Sequence, residues 1–495
     1  MAGAPVTATT EGEGDGGPPQ PPAPELLPLR ARWRTWPYTV PREVRLLRAG
    51  VLVLTAAVGA LLLVTGLTAS GTWDRVDHRA APRVTGADDL YFALNDMDAQ
   101  AANLLLSSGG RGLTPMPAQH STALKLYGSA RHAVGVDLQT LAAAAQGDPK
   151  ATATVVGFDD DFARYQELVC RVRENDLHPA EKATALGNYR TATDLLRQSL
   201  LPAAERLGQN NDGAFEDVCT GARGATRVRL ALLAVLGGAL LLVLVLTQVR
   251  LARRFHRTVN PGLAAATLCV AAACGLGWSA TAAQAHDLEV ARRDAFDSVV
   301  ALSRARAMTY DANADESRYL LDPDRRGTYE QAFQDTSQLL LTLPAATLGT
   351  YDARLADALA AYRARHTDLR FTGAYGDEFR NITFPGERAA AEATVRAYAV
   401  YEKDDRTFRS LVRQGRLQQA VEFCIGYDKG ASNYHFEQYD TALRALIGIN
   451  ADAYGAAVSD GRAALTTRLP GAGAALSAAA VLTVLGLRPR LAEFR

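Results

Sequence analysis

Residues 261–323 read PGLAAATLCVAAACGLGWSATAAQAHDLEVARRDAFDSVVALSRARAMTYDANADESRYLLDP, and this stretch decides the fold. Its first part, 261–283, carries no charge and is long enough for a hydrocarbon core, which needs about 20 residues of helix. From Ser279 to Asp322 there is neither Gly nor Pro, so the helix that crosses the membrane is expected to run on well clear of it until Pro323 stops it. Along the continuation Phe296, Val299, Ser303, Ala307, Tyr310, Ala314, Ser317 and Leu321 recur at steps of three and four, which makes one packing face. A helix that leaves the bilayer with such a face needs partners on that side.

The rest of the chain supplies them. Four spans are predicted, at 49–69, 229–249, 261–283 and 469–487, none with a charge in its interior. A return helix from Ser432 towards the fourth span repeats the pattern in Phe436, Tyr439, Leu443, Leu446, Asn450, Tyr454 and Val458, where Asn450 is expected to fix register through a buried hydrogen bond. Between the two long helices the spacing predicts helices over 328–343, 348–370 and 387–425, broken at Pro344, Gly373 to Gly376 and Pro385. The earlier long segment predicts helices over 87–107, 118–145, 151–175 and 179–207, with breaks at GGRGLTPMP (109–117), Gly147 to Pro149 and Asp176 to Pro179. The fold class is therefore an all-α membrane protein, with four transmembrane helices and two antiparallel helical bundles in tandem, 70–228 and 284–468. The halves also align over a short stretch that places Asp96 on Asp311, Leu105 on Leu320, Leu106 on Leu321, Arg111 on Arg326 and Gly112 on Gly327, the pattern of a tandem repeat.

Arginine placement predicts sidedness, because basic residues near span ends stay cytoplasmic. Arg30, Arg32, Arg34, Arg42, Arg45 and Arg48 precede the first span, Arg250, Arg253, Arg254 and Arg257 fill the 250–260 loop, and Arg488, Arg490 and Arg495 lie in the 488–495 tail. Both bundles are then extracytoplasmic and both termini cytoplasmic, although Arg223, Arg227 and Arg229 argue the other way. Residues 1–48 read as a disordered tail, Gly, Pro and acid rich at first and closing on the basic and aromatic RARWRTWPYTVPREVRLLR (30–48). That tail is too long for the n-region of a secretory signal, so the first span is expected to remain uncleaved. Lys and Arg total 53 against 53 Asp and Glu, and this balance leaves no basic footprint for nucleic acid.

Catalytic and metal patterns are missing from the sequence: the eight histidines are scattered, with no HExxH, CxxC pair, phosphate loop or GxSxG. No enzyme activity, cofactor or metal is expected. The acidic run Asp159 to Asp161 reads as a helix N-terminal cap, and Glu402, Asp404 and Asp405 with Lys403 and Arg406 read as a solvated face. Cys170 and Cys219 share the first bundle and could pair only if the chain breaks at Gly208 to Gly213; Cys269 and Cys274 lie in the third span, and Cys424 stands alone. Arg111 and Arg326 each follow a bundle's first helix at the end away from the membrane. With the aligned Asp96 and Asp311, they are the candidate contacts for an acidic ligand or partner. Trp33, Trp36 and Arg490 are the candidate contacts for a cytoplasmic partner.

Four stretches carry a family likeness: WPYTVPREVR (36–45), GERAAAEATVRAYAVYEKDDRTFRSL (386–411), GASNYHFEQYDTALRALIGIN (430–450) and GLRPRLAEFR (486–495). In these the chain resembles the GlnX-type transmembrane sensors of actinobacteria, with four spans and tandem extracytoplasmic four-helix bundles. The resemblance implies that the bundles receive a signal from a solute-binding lipoprotein that senses glutamate or aspartate, and that the message passes to a cytoplasmic serine/threonine kinase or adaptor. The bundles are also similar to the four-helix ligand-binding domains of bacterial chemoreceptors, but no cytoplasmic HAMP, kinase or coiled-coil segment is present here, so output is expected to go through a partner. Homo-oligomer formation is compatible with the pattern. The rival reading is a non-signalling envelope scaffold or assembly protein, while a transporter is disfavoured because the spans hold no intramembrane charge.

Overall fold

The computed structural model describes residues 40–145, 149–255 and 260–492. Of the tail expected over 1–48, residues 1–39, with Trp33 and Trp36, lie outside the described residues and 40–48 are helical; 146–148 of the expected break before Pro149, 256–259 of the Arg loop and 493–495 also lie outside the described residues. The protein is an all-α membrane protein. Four helical runs, Arg42–Ser107, Pro179–Arg253, Pro261–Leu321 and Ser432–Pro489, each contain a segment long and apolar enough to cross a membrane. Among the described residues no strand forms, and Thr342 and Thr372 make an isolated antiparallel bridge.

In chain order, α1 (Val40–Arg75) passes through a π turn at Val76–Ala80 into α2 (Ala81–Ser107). Helices α3 (Pro117–Ala144), α4 (Pro149–Asp176) and α5 (Lys182–Leu195) follow; Asp159 to Asp161 lie inside α4, ten residues past its start, and so do not cap its N-terminus. A second π turn at Leu196–Leu200 leads into α6 (Leu201–Phe255), which returns through the membrane. The second half repeats this opening with α7 (Pro261–Glu289), a π turn at Val290–Phe296 and α8 (Asp297–Leu321). It continues through α9 (Arg326–Leu340), α10 (Tyr351–Ala364), α11 (Gly373–Asn381), α12 (Glu387–Arg413) and α13 (Leu417–Cys424) to α14 (Ser432–Ala492).

The π turns explain how helices pass residues that should end them. Pro82 and Pro202 each lie two residues beyond such a turn. Proline has no N–H to return to the carbonyl four residues back, and its ring crowds that carbonyl; a widened turn just before it relieves both, so the helix continues. The turn at Val290–Phe296 contains no proline. There the guanidinium of Arg292 reaches Glu216 and Asp212, each at 3.0 Å, and also Asp297. The 215-residue offset that puts Leu105 on Leu320 carries Val76–Ala80 inside Val290–Phe296.

Two glycine breaks and one helix span differ from expectation. Helix α6 runs unbroken through Gly208 to Gly213. A helical glycine costs about 1 kcal/mol relative to Ala, and at Gly208 that cost serves close approach: a Cβ would sit 3.4 Å from the Asp88 carboxylate and 3.6 Å from the Arg304 guanidinium. With no break there, all five cysteines are free, Cys170 exposed and Cys219 buried, so the disulfide does not form. Gly373 to Gly376 starts α11 rather than breaking the chain. The φ of Gly373 is +81°, and a side chain there would approach the Leu339 carbonyl to 2.7 Å. Conversely, Gly415, with φ +75°, splits the helix expected over 387–425 into α12 and α13.

Four apolar clusters hold the molecule together. One fills the first bundle, between α2, α3, α4, α5 and α6, and takes in Tyr319, Leu320 and Leu321 of α8 and Phe408, Val421 and Ile425 of the second half. A second, rich in tyrosine, fills the space among α8, α9, α10, α12 and α14. A third joins the four membrane-length segments. Between membrane and bundles lies a collar in which Trp73 of α1, Phe215 of α6, Phe296 ahead of α8 and Val458 of α14 meet.

Candidate functional site

Helices α2 and α8 are the first helices of the two bundles, and they pack along each other. Each is therefore covered on one side by its own bundle and on the other by its neighbour's first helix. Every residue from Ala312 to Leu321 is buried, and so are Asp88, Asn95, Asp98, Gln100, Asn103 and Ser107 of α2. Buried polar groups of this kind require partners, and Asp98, Asn103, Asp315, Ser317 and Arg318 find theirs within the seam, while Asp88 Oδ2, Asn95 Oδ1 and Glu316 Oε1 have none.

At the centre are Asp98 and Arg318, both with side chains fully shielded from solvent. Arg318 donates to Asp98 from Nη2 at 2.5 Å and from Nε at 3.2 Å, and from Nη1 to Asp315 at 2.5 Å and Asp311 at 3.0 Å. Arg197, from the π turn ahead of α6, donates to Asp315 at 2.7 Å and to Asp311 at 3.2 Å. Three carboxylates face two guanidiniums, and hydroxyls make up the difference: Asp98 accepts from Tyr165 at 2.8 Å, Tyr189 at 3.2 Å and Thr193 at 3.2 Å. Burial disfavours the Arg318 charge, but Asp98 and Asp315 hold it well above the usual guanidinium range. Burial also pushes Asp315 up, outweighing both arginines, whereas Asp311, with 18% of its side chain exposed, is held below the usual carboxylate range by Arg197 and Arg318.

The ion pairs run reciprocally along the whole seam. Towards the tip, Arg190 of the first half bonds Asp322 at 2.7 Å and Asp324 at 2.9 Å, and Arg325 of the second half bonds Asp194 at 2.9 Å. Asn103 accepts from Ser317 at 2.7 Å, and the backbone N–H of Thr114 donates to Gln418 at 2.8 Å. Towards the membrane, Arg306 lies 3.8 Å over the Phe92 ring, Arg304 pairs with Asp88 at 3.3 Å, and Arg292 closes the series in the collar. The fully shielded pairs of Arg318 with Asp98 and Asp315 are expensive to break from one side, because the abandoned charge stays buried, whereas Arg325–Asp194 and Arg190–Asp324 at the tip stay partly in solvent.

Asp311, a predicted contact residue, is thus part of the seam. Asp96 is half-buried, accepts from Gln100 at 3.0 Å and is pushed up to about 6 by burial. Arg326 bonds the Tyr319 carbonyl at 3.1 Å and stacks 5.0 Å over the Tyr319 ring, which fastens the end of α8. Arg111 lies in the short 3-10 turn Gly110–Gly112, and Arg490 falls in the last turns of α14. The sequence reading missed Asp98, Arg197, Asp315 and Arg318. For Asp315 and Arg318 the trace is spacing, since with Asp311 they share one face of their helix, beside its apolar face; no spacing singles out Asp98 or Arg197.

On α12, Glu402, Asp404 and Asp405 are buried rather than solvated, while Lys403 and Arg406 beside them are exposed. Glu402 accepts from Ser337 at 2.8 Å and from Tyr398, and burial pushes it up to about 8. Asp405 takes the Nε of Arg409 at 2.8 and 2.9 Å, and Asp404 meets His435 at 2.6 Å. At the membrane-distal tip of the first bundle, an open cleft of about 820 Å³ is bordered by Ser107, Ser108, His120, Asp176 and Lys182. Lys182 there bonds Asp176 at 2.6 Å and Ser108 at 3.2 Å. Among the described residues no group of three or more His, Cys, Asp or Glu side chains is placed to hold a metal ion.

Residues 72–219 match the family model of the actinobacterial sensor domain. The matched stretch begins near the membrane end of α1, covers the first bundle and ends in the collar at Cys219. No curated protein and no solved structure matches the chain. The sensor-domain match and the four membrane-length helices together support an actinobacterial membrane sensor.

Proposed function

We propose that this chain is a transmembrane signal-transducing subunit that receives a stimulus on the extracytoplasmic face and passes it to a cytoplasmic serine/threonine kinase. The observation that carries the reading is the match of the first bundle to a sensor domain, joined to helices that continue from that bundle into the membrane. The ionic seam adds a route: it makes the two bundles move as a unit, so a displacement of either tip reaches all four spans through rigid helices. A stimulus drives such an element only by binding its two states with different affinity. By resemblance, the input is a lipoprotein that binds glutamate or aspartate, and the repeated π turn supports the tandem-repeat reading of the halves.

The test is kinase output in native membranes as external glutamate and aspartate are varied, with and without this chain. Output that responds equally in its absence would sink the reading and leave the scaffold. Sidedness has its own expected result in a Cys170→Ser background, which removes the exposed native thiol: a cysteine introduced beside Gly430, at Lys429, is labelled by an impermeant reagent from outside, whereas one introduced at Arg253 is not. The reverse pattern places the bundles in the cytoplasm. Replacing Trp33, Trp36 and Arg490 together by other aromatic and basic residues should reduce kinase recruitment. Undiminished recruitment assigns these residues to membrane anchoring alone.

A further inference from the structure

The foot of the second bundle contains two acids that no base neutralises. Glu378 of α11 and Glu387 at the start of α12 are both buried, and the neighbouring groups that act on the Glu378 carboxyl are Glu387, Ser298 and Asn450. One oxygen of Glu387 accepts the backbone N–H groups of Thr383 at 2.6 Å and Phe384 at 2.9 Å, which folds the α11–α12 turn around it. Three buried oxygens in this group, Glu378 Oε1, Glu387 Oε1 and Asn450 Oδ1, have no donor.

The surrounding elements offer no positive charge. From α8 the facing group is Ser298, which accepts from Asn381 at 2.9 Å; from α14 it is Asn450, fully buried, whose amide donates to the Leu446 carbonyl of its own helix at 3.3 Å and so does not make the expected register bond. The nearby bases are committed elsewhere, Arg380 to Asp377 at 2.8 Å and Arg388 to the Tyr362 hydroxyl at 2.7 Å. Of the acids flanking Ser298, Asp297 is taken by Arg292 and Asp294 lies near Arg293, while Asp452 on α14 is exposed. Two carboxylates in contact cannot both ionise in a dry site without a positive charge between them.

We propose that Glu378 and Glu387 form a proton-binding site, in which one shared proton holds the α11–α12 turn against the two helices that lead into the third and fourth spans. The second bundle then responds to acidity on its own side of the membrane, a stimulus separate from the one proposed above. Two backbone donors already serve one Glu387 oxygen, whereas Glu378 Oε1 has no donor, so the shared proton is placed on Glu378. Loss of that proton to solvent leaves two like charges in contact, so water must enter and the turn loosens from Ser298 and Asn450. Burial first, and the neighbouring Glu387 charge second, push Glu378 up from 4.5 to about 7. Since the folded value lies above the unfolded one, the stabilisation is complete below about 4.5 and is lost as pH rises through about 7.

Hydrogen exchange of the Thr383 and Phe384 amides in the full-length protein, in detergent or nanodiscs, tests this at about pH 5.5 and about pH 8.5 after correction for intrinsic rates. The expected result is exchange roughly threefold or more faster at the higher pH in the wild type, and no such change in Glu378→Gln, which mimics the protonated form. Glu387→Gln, which keeps an acceptor for the two amides, should also lose the response, so that a folding defect in one variant does not decide the matter. A pH response that persists in both folded variants overturns the proposal, as does its absence in the wild type. Protection restored to the wild type at the higher pH by millimolar calcium or magnesium overturns the proton assignment in favour of a hard cation. None of these readouts involves the kinase, so their failure leaves the sensor reading untouched.

Discussion

Arg318→Met is expected to destabilise the paired bundles by about 3–5 kcal/mol, the scale for removing one partner of a buried ion pair. The reason lies in what is left behind. Asp98 and Asp315 have no exposure to solvent, so neither can recover hydration when the guanidinium goes. Asp98 would retain Tyr165, Tyr189 and Thr193, which donate but carry no charge, and Asp315 would retain Arg197. Thermal unfolding in detergent should show the midpoint fall by roughly 5 °C or more. Asp98→Asn combined with Arg318→Met should recover part of the loss, since the double variant no longer strands the Asp98 charge. A midpoint shift below about 1 °C for Arg318→Met would show that the seam does not hold the bundles together.

Gly461→Ala is expected to cost about 1–3 kcal/mol, although the same change at Gly455, earlier in the same helix, should help. At Gly461 the added Cβ would lie 2.2 Å from Cζ2 and 2.6 Å from Cε2 of Trp73. That indole is fully buried in the collar and has no free direction in which to swing, so α14 must move away from α1. At Gly455 an added Cβ meets nothing within 4 Å, and Gly455→Ala should gain up to about 1 kcal/mol from helix propensity. Unfolding midpoints and tryptophan emission check the pair: Gly461→Ala should lower the midpoint and shift the Trp73 emission to the red, and Gly455→Ala should do neither. Equal behaviour of the two would mean that the collar is slack and transmits no movement from bundle to span.

These two sites differ in how far the sequence announces them. The collar is half legible: Phe296, Tyr454 and Val458 fall on the packing faces of the two long helices, but that Gly461 meets Trp73 joins residues nearly four hundred positions apart. The seam is almost illegible. A charged residue on a helix reads as solvated unless a second layer is known to cover it, and the layer that covers Asp98 and Arg318 is the other half of the chain.

What the sequence determined by itself is therefore local. The four spans follow from uncharged apolar length, the long helices from an unbroken three-and-four spacing, and the all-α class from the absence of alternation, because each depends on neighbours within a few turns. Only the tertiary structure decided where the charges go. It buries Glu402, Asp404 and Asp405 on a face that looked wet, carries α6 past Gly208 where the chain looked broken, and brings Glu378 against Glu387 across a turn. The physical reason is common to all three: burial is set by what packs opposite a residue, and here the opposing surface comes from a distant helix or from the other bundle.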